Sequence, residues 1–282
     1  MSDAYGATIA KRRLSRRLTE LRLASGFTAN QVCDRLNWGR GKVGRYEANA
    51  WVRPEMSDIR DLLRLYGADE ETSSEIEELA QRARVRAWWR DYSDVFDNEY
   101  PGYENDAVRI RAYAPLMIPG LLQTPAYMEA HMRLTTRPST WRNRVVGARL
   151  RRQEILTRKP STAPEYVAIL TEAALQYRWG TAAERRDQLE HLVEMSRLPN
   201  VEIRLLRFVD GPHPGMCGPI NIFDFPDGEP PMAYTETDFA LQEVTKEDEV
   251  KALVEIFERA RAVALEPPAT TAYLKQEAEK LE

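Results

Sequence analysis

Between Leu14 and Gly67 the apolar spacing is helical but is broken again and again by turn residues, so this stretch can fold only as a set of short helices. Leu14, Leu18 and Leu21 recur at i, i+4 and i+7 and make one apolar stripe. Ser25-Gly26 ends that helix, with glycine where a left-handed residue commonly closes a helix. Thr28 is a cap for a second helix, whose inward positions are Val32, Cys33 and Leu36. Asn37-Trp38-Gly39 reads as a turn, and a third helix is predicted from about Arg40 to Tyr46 with Val43 and Tyr46 inward. In it, Gly41 and Gly44 are each expected to weaken the helix by about 1 kcal/mol relative to Ala. Pro54 is expected to open a fourth helix with Ile59, Leu62, Leu63 and Tyr66 inward, and Gly67 closes it.

Two short helices joined by a tight turn form a corner whose second helix can enter the major groove of double-stranded DNA. Here that helix carries Arg40, Lys42 and Arg45 on the side away from Val43 and Tyr46. Such donors can read guanine O6 and N7. Lys11, Arg12, Arg13, Arg16 and Arg17 lie just before or on the first helix, where they are candidates for phosphate contacts. A lone basic residue on a helix face is ordinarily just solvated. Arginine is abundant throughout (33 of the 40 basic residues), which a GC-rich genome alone explains. The weight rests on the turn, helix lengths, inward positions and charge taken together. Residues 1–67 carry 13 Lys/Arg against 7 Asp/Glu, a net of +6, whereas the rest of the chain has a net of −10. A basic head on an acidic body implies a polyanionic partner for the head alone.

The remainder divides at residues 68 and 104. Residues 69–104 read as a helical connector with a thin apolar face (Ile76, Leu79, Ala83, Ala87), interrupted near Trp88 and broken at Pro101-Gly102. From 105 to 282 the pattern is α+β. A packed irregular stretch at 113–123 leads to helices at 125–134 and 139–158. Strands are predicted at 166–170, 201–208, 220–225 and 232–235, mostly joined by short turns such as Pro226-Asp227-Gly228. Helices are predicted at 182–198 and 246–265, with Pro267-Pro268 stopping the last. Two distant cysteines, Cys33 and Cys217, exclude a disulfide framework and a cysteine zinc site. Without an apolar leader or a long apolar run, the chain reads as cytoplasmic, with no membrane partner.

Residues 14–67, in the stretches LTELRLASGFTANQVCDRL and GRGKVGRYEANAWVRPEMSDIRDLLRLYG, resemble the xenobiotic-response-element type of helix-turn-helix, the lambda-repressor-like family. The resemblance implies a mainly α domain in which Arg40, Gly41 and Arg45 face bases and Lys42 faces bases or backbone. It also implies that Glu47 fixes the recognition helix against its neighbours. Where the family often has a phosphate-binding Gln after the cap, this chain has Ala29, leaving Thr28, Asn30 and Gln31 to complete the DNA-facing set. Four strings in residues 88–274, YAPLMIPGLLQTPAYM, ARLRRQEIL, DQLEHLVEMSRLPNVEIRLLRF and GPHPGMCGPINIFDFPDGEPPMAYTET, resemble the C-terminal domain of actinobacterial WhiJ-like regulators, also described as antitoxin-like. That resemblance implies a transcriptional regulator whose C-terminal domain senses a small-molecule effector or binds a small partner protein encoded nearby. A second reading is an antitoxin-like protein that sequesters such a partner and autoregulates its operon.

The ligand or partner candidates are His213, flanked by two prolines, and Trp88, Trp89 and Tyr92 from the dense aromatic segment, which reads equally as interdomain core or as a homodimer interface or pocket wall. His213 with Glu172 or Glu236 is the nearest thing to acid–base machinery. No nucleophile elbow, phosphate loop or HExxH accompanies them, so the expectation is no enzyme, no cofactor and no metal.

Overall fold

The computed structural model describes residues 6–51, 53–237 and 240–281. The chain forms two compact units. The first runs to Asp91 and also takes in Asn98–Asp106; the second holds Tyr92–Asp97 and the chain from Ala107 onward.

The first unit is helical: α1 (Ala7–Ala24), α2 (Ala29–Arg35), α3 (Lys42–Glu47), α4 (Met56–Tyr66), α5 (Glu70–Ala83) and α6 (Tyr100–Asp106). Leu14 and Leu18 of α1 pack with Val32, Cys33, Val43, Tyr46, Ile59, Leu62, Leu63 and Tyr66, the inward set read from the spacing; Leu21 and Leu36 are partly buried around it. Gly26 and Gly67 both take positive φ (73° and 70°). The fourth helix starts at Met56 rather than Pro54. Residues 69–104 do not stand apart as a connector. Asp69 caps α5 through the Thr72 amide at 2.8 Å, and Ile76, Leu79, Ala80 and Ala83 join the same core. A thin apolar face is enough when α1 and α4 cover it.

Pro101-Gly102 does not break the chain either. It lies inside α6, where proline suits the first turn because its missing N–H has no helical partner. Gly102 is needed for packing: a Cβ there would stand 2.1 Å from Thr8 Oγ1 and 2.5 Å from Trp89 Cζ2. Asp106, at the end of α6, accepts the Ile9 amide at 3.0 Å and so supplies the start of α1 with the cap that Gly6 cannot.

The second unit is a six-stranded mixed sheet covered by helices, in the order β3-β2-β1-β4-β5-β6. Its elements are β1 (Arg109–Ala114), α7 (Pro125–Met132), α8 (Ser139–Gln153), β2 (Glu165–Thr171), α9 (Glu172–Gln176), α10 (Ala182–Met195), β3 (Val201–Leu206), β4 (Ile220–Asp224), β5 (Met232–Glu236), β6 (Leu241–Val244), α11 (Glu247–Val263) and α12 (Pro267–Glu279). β1 pairs parallel with β2 (Ala112 opposite Ala168) and antiparallel with β4 (Ala112 opposite Asn221). The strands therefore do not follow one another by short turns throughout. β1, β2 and β3 are parallel and need helical crossovers, and β4, β5 and β6 form the antiparallel half. Tyr113 lies within β1, one residue before its end, rather than opening an irregular stretch, β6 is a further strand, and Pro267-Pro268 begins α12 as well as ending what precedes it. On one face, Tyr113, Val167, Ile169, Ile220, Ile222 and Ala233 pack with Val250, Phe257 and Ala260 of α11. Among the described residues no helix is long and apolar enough to cross a membrane.

Gly102→Ala should lower stability by about 1–3 kcal/mol, the usual cost of overpacking a closed contact. The check is the urea midpoint of the full chain with an unchanged m-value; an unaltered midpoint would refute the close approach of α6 to Thr8 and Trp89.

Candidate nucleic-acid interface

The corner is built from local hydrogen bonds. Thr28 Oγ1 accepts the Gln31 amide at 3.2 Å while Gln31 Oε1 accepts the Thr28 amide at 2.9 Å, a reciprocal cap that starts α2. α2 closes with the Trp38 amide on Cys33 O at 2.8 Å, and Asn37 takes positive φ (52°) in the turn. α3 begins at Lys42, later than the spacing predicts, because Gly41 is its N-cap in the left-handed region (φ 83°). Arg40 therefore precedes the helix instead of lying on it.

The inward face of α3 is fixed by charge as well as by Val43. Asp58, nearly buried on α4, accepts Lys42 Nζ at 2.7 Å on one oxygen and the Tyr46 hydroxyl at 2.9 Å on the other. Burial first, then the bond to Asp58, pushes the Tyr46 phenol well above its ordinary pKa, so it remains a donor. Lys42 Nζ also sits 4.0 Å from the centre of the Trp38 ring. At the end of α3, Glu47 takes a two-pronged bond from Arg22 (2.5 and 2.9 Å), while Arg22 Nη1 reaches Phe27 O at 2.8 Å. The Arg22 guanidinium is held above its ordinary pKa by that bond to Glu47. Trp51 Nε1 donates towards Tyr46 O and Ser15 Oγ, both at 3.2 Å.

The outward side is left to Arg40 and Arg45. Both are exposed, and among the described residues neither side chain has a hydrogen bond or ion pair. Asn30 is exposed on α2, next to the Thr28–Gln31 cap, in which each side chain accepts the other residue's backbone amide. The phosphate candidates on α1 are unequal. Arg17 donates to Glu20 (2.9 Å) and to Glu75 of α5 (3.0 Å), which together raise its pKa, and Arg16 reaches Glu20 at 3.3 Å. Arg12 and Arg13 are half-buried. Sequence reasoning missed Asp58, whose signal was an acidic residue beside Ile59 on the inward stripe of α4. It also missed exposed Arg53 beyond α3.

The ligand and partner candidates fall in both units. Trp88 and Trp89 belong to the first unit, where Trp89 is buried and its ring meets Trp88 edge-on at 6.0 Å. Buried Trp89 is a core residue and not part of an open binding surface. Tyr92 belongs to the second unit, beneath the Arg144 guanidinium at 5.2 Å, and Arg144 is forked onto Asp94. His213 Nε2 lies 2.9 Å from the Tyr113 hydroxyl. Glu172 is committed elsewhere, accepting the Phe208 amide at 2.7 Å and the Tyr273 hydroxyl at 2.8 Å. Among the described residues no group of three or more His, Cys, Asp or Glu is placed to hold a metal ion.

A capped helix, a tight turn and a second helix clamped from within make the first unit a helix-turn-helix domain, the kind that DNA-binding regulators carry. Residues 13–76 match the model of a helix-turn-helix domain family. Residues 98–276, more than half of the chain, match the model described as a domain of unknown function, DUF5753, and the chain belongs to that family. Comparison with curated proteins and with solved structures found no match.

The two glycines of α3 should respond in opposite directions. Gly41→Ala forces a Cβ into the left-handed cap and should cost about 1 kcal/mol. Gly44, mid-helix with open space where a Cβ would stand, should gain up to about 1 kcal/mol as Ala. Thermal unfolding of both variants checks the position of the cap; the same sign for both would mean that α3 starts elsewhere.

Proposed function

We propose that the protein is a sequence-specific transcriptional regulator that reads double-stranded DNA as a homodimer and is controlled through its C-terminal domain. The observation that carries the reading is that Arg40 and Arg45 are exposed and free of partners at a helix whose other side is clamped by Asp58 and Glu47. Arg40 and Arg45 reach base edges, with Gly41 allowing close approach of the backbone. Thr28, Asn30 and Gln31 lie beside them at the DNA surface, Lys42 must leave Asp58 to join them, and Arg12, Arg13, Arg16 and Arg17 add phosphate attraction. The acidic remainder repels DNA, which fits a control element and not a second DNA reader. Its effector is a small-molecule ligand or a small partner protein. It acts by favouring one arrangement of the two heads, through its differential affinity for them.

One observation favours the partner-sequestering, antitoxin-like reading of the second unit. Leu116, Met117, Phe208, Val209 and Met216 are each at least half exposed, on the loops that follow β1 and β3. His213 lies in the second of these loops. Exposed apolar side chains, where they are contiguous, mark protein contact surfaces. Co-purification of the product of a neighbouring small gene with the full chain separates this reading from a small-molecule effector.

The DNA reading is tested on operator fragments selected from a random pool, by fluorescence anisotropy. Arg40→Ala and Arg45→Ala should each weaken specific binding by about 1–3 kcal/mol and relax the preference at one base pair. Neutralising a true phosphate contact should lower the slope of log K against log salt by about 0.9, with a smaller change at Arg17, which Glu75 already holds. Wild-type affinity in both alanine variants would refute the assignment. A dimer should protect half-sites about 34–36 Å apart, and a monomer at micromolar concentration with a single half-site would refute that part.

A further inference from the structure

The segment leaving the carboxyl end of β1 is tied down from several directions. Gln153 Nε2 donates to Gly120 O and Gln123 O at 2.9 and 2.7 Å. Gln188 Nε2 donates to Leu122 O at 2.8 Å while its Oε1 accepts the Thr124 amide at 2.7 Å. The Tyr127 hydroxyl accepts the Ile118 amide at 3.2 Å, and Gln123 Nε2 donates to Ile118 O at 2.6 Å. Gln123 and Gln188 are buried. Such bonds satisfy an irregular backbone, and they also make residues 118–124 a rigid platform.

Against this platform stands a cation that has no ion pair among the described residues. α8 turns Val145, Ala148, Arg149, Arg152 and Gln153 to one side, at the spacing where a helix normally buries apolar residues. Val145 and Ala148 are buried there, and Arg149 and Arg152 are partly buried. Arg149 Nη1 donates to Gln123 Oε1 at 3.2 Å, and among the described residues no carboxylate lies within ion-pair distance of it. The Arg152 guanidinium sits by Gly120, 3.6 Å from where a Cβ would stand. Burial and then the neighbouring Arg152 push the Arg149 pKa down to about 10, with Glu236 of β5 and Tyr127 acting the other way. A guanidinium partly withdrawn from water beside a second cation is disfavoured in its charged form, and an anion placed on Arg149 offsets this.

We propose that Arg149, seconded by Arg152 and set against the 118–124 platform, anchors a small-molecule site for an oxyanion, a carboxylate or a phosphate group. The planar guanidinium fork matches either group. The site gives the control domain a ligand class, and its regulatory meaning rests on the reading of that domain given above.

The test uses the full chain at matched ionic strength, with thermal unfolding followed as sodium phosphate, sodium acetate or sodium citrate replaces sodium chloride. A saturable rise in Tm is expected for the wild type and for the exposed-residue control Arg151→Gln. It should be lost in Arg149→Gln and weakened about tenfold in Arg149→Lys, which keeps the charge but not the fork. Response to phosphate alone or to the carboxylates alone identifies the group. No saturable rise with any of these anions, or an equal rise in Arg149→Gln, overturns the site. So does a lower Tm for Arg149→Gln without anion when the wild type shows no response, since Arg149 is then a packing residue. Operator affinity is read in parallel: an anion that binds through Arg149 yet leaves DNA affinity unchanged upholds the site and removes the regulatory role.

Discussion

A helix of six residues does not hold its shape in water, because the entropy of fixing the first turn is recovered only over several further turns. α3 is such a helix, and everything around it compensates for that weakness. Asp58 pins its first turn through Lys42 and its last through Tyr46, and the Arg22–Glu47 pair closes its end. These bonds join α1, α3 and α4 into one body, so the orientation of α3 is a property of the whole unit. The cost is that the basic residues of the corner divide their tasks. Lys42 is held inward by Asp58 and Trp38, and Arg40 and Arg45 carry no structural duty.

In the second unit the comparable constraint is the position of β1. It is central, parallel to one neighbour and antiparallel to the other, so its carboxyl end is where the strand order changes sense. In open sheets of this kind the loops diverge at such a point and leave a crevice for ligands. Here the chain leaving β3 must pass the ends of β2 and β1 to reach β4, and His213, on that passage, meets Tyr113 at the end of β1. The 118–124 segment leaves the same end of β1. Irregular backbone at this point would expose many unpaired amides and carbonyls, which explains why Gln123, Gln153, Gln188 and Tyr127 are spent on it.

How much of this was legible in the sequence depends on how local the signal was. Gly26, Thr28 and Gly67 act on their own backbone within a few residues, and the first helices could be read from them. Gly41 was misread for an instructive reason. Inside a helix a glycine is a weakness, but one residue before it the same glycine is the cap that lets the helix start. β1 was hidden because Arg109 and Arg111 interrupt its apolar run, and Arg111 is tolerated in a buried strand only because Asp224, far along the chain, takes two bonds from it. β6 is short and polar on the sheet edge, which is how natural sheets protect their edges and why such strands escape pattern reading. α5 read as a connector because nothing in its own residues says that α1 will cover it. The DNA-facing arginines were visible as a group. Their division from Lys42, and the lack of an ion pair at Arg149 among the described residues, are matters of tertiary distance that no spacing encodes.

Arginine is so common in this chain that its presence at any position says little. What separates one arginine from another is what the fold has already given it. Arg22, Arg111, Arg144, Arg204 and Arg261 each have carboxylates within bonding distance, and their charge is used in holding elements together. An exposed arginine on a mobile side chain gains little from a partner and loses little without one, so its freedom carries no message. Arg40, Arg45 and Arg149 differ because the backbone that carries them, or the platform that faces them, is fixed by neutral hydrogen bonds and partly buried ion pairs. A rigid frame that leaves a cation uncompensated has forgone a stabilising contact that a neighbouring carboxylate would have supplied. In each unit, that is the physical ground for expecting the missing anion to come from outside the chain.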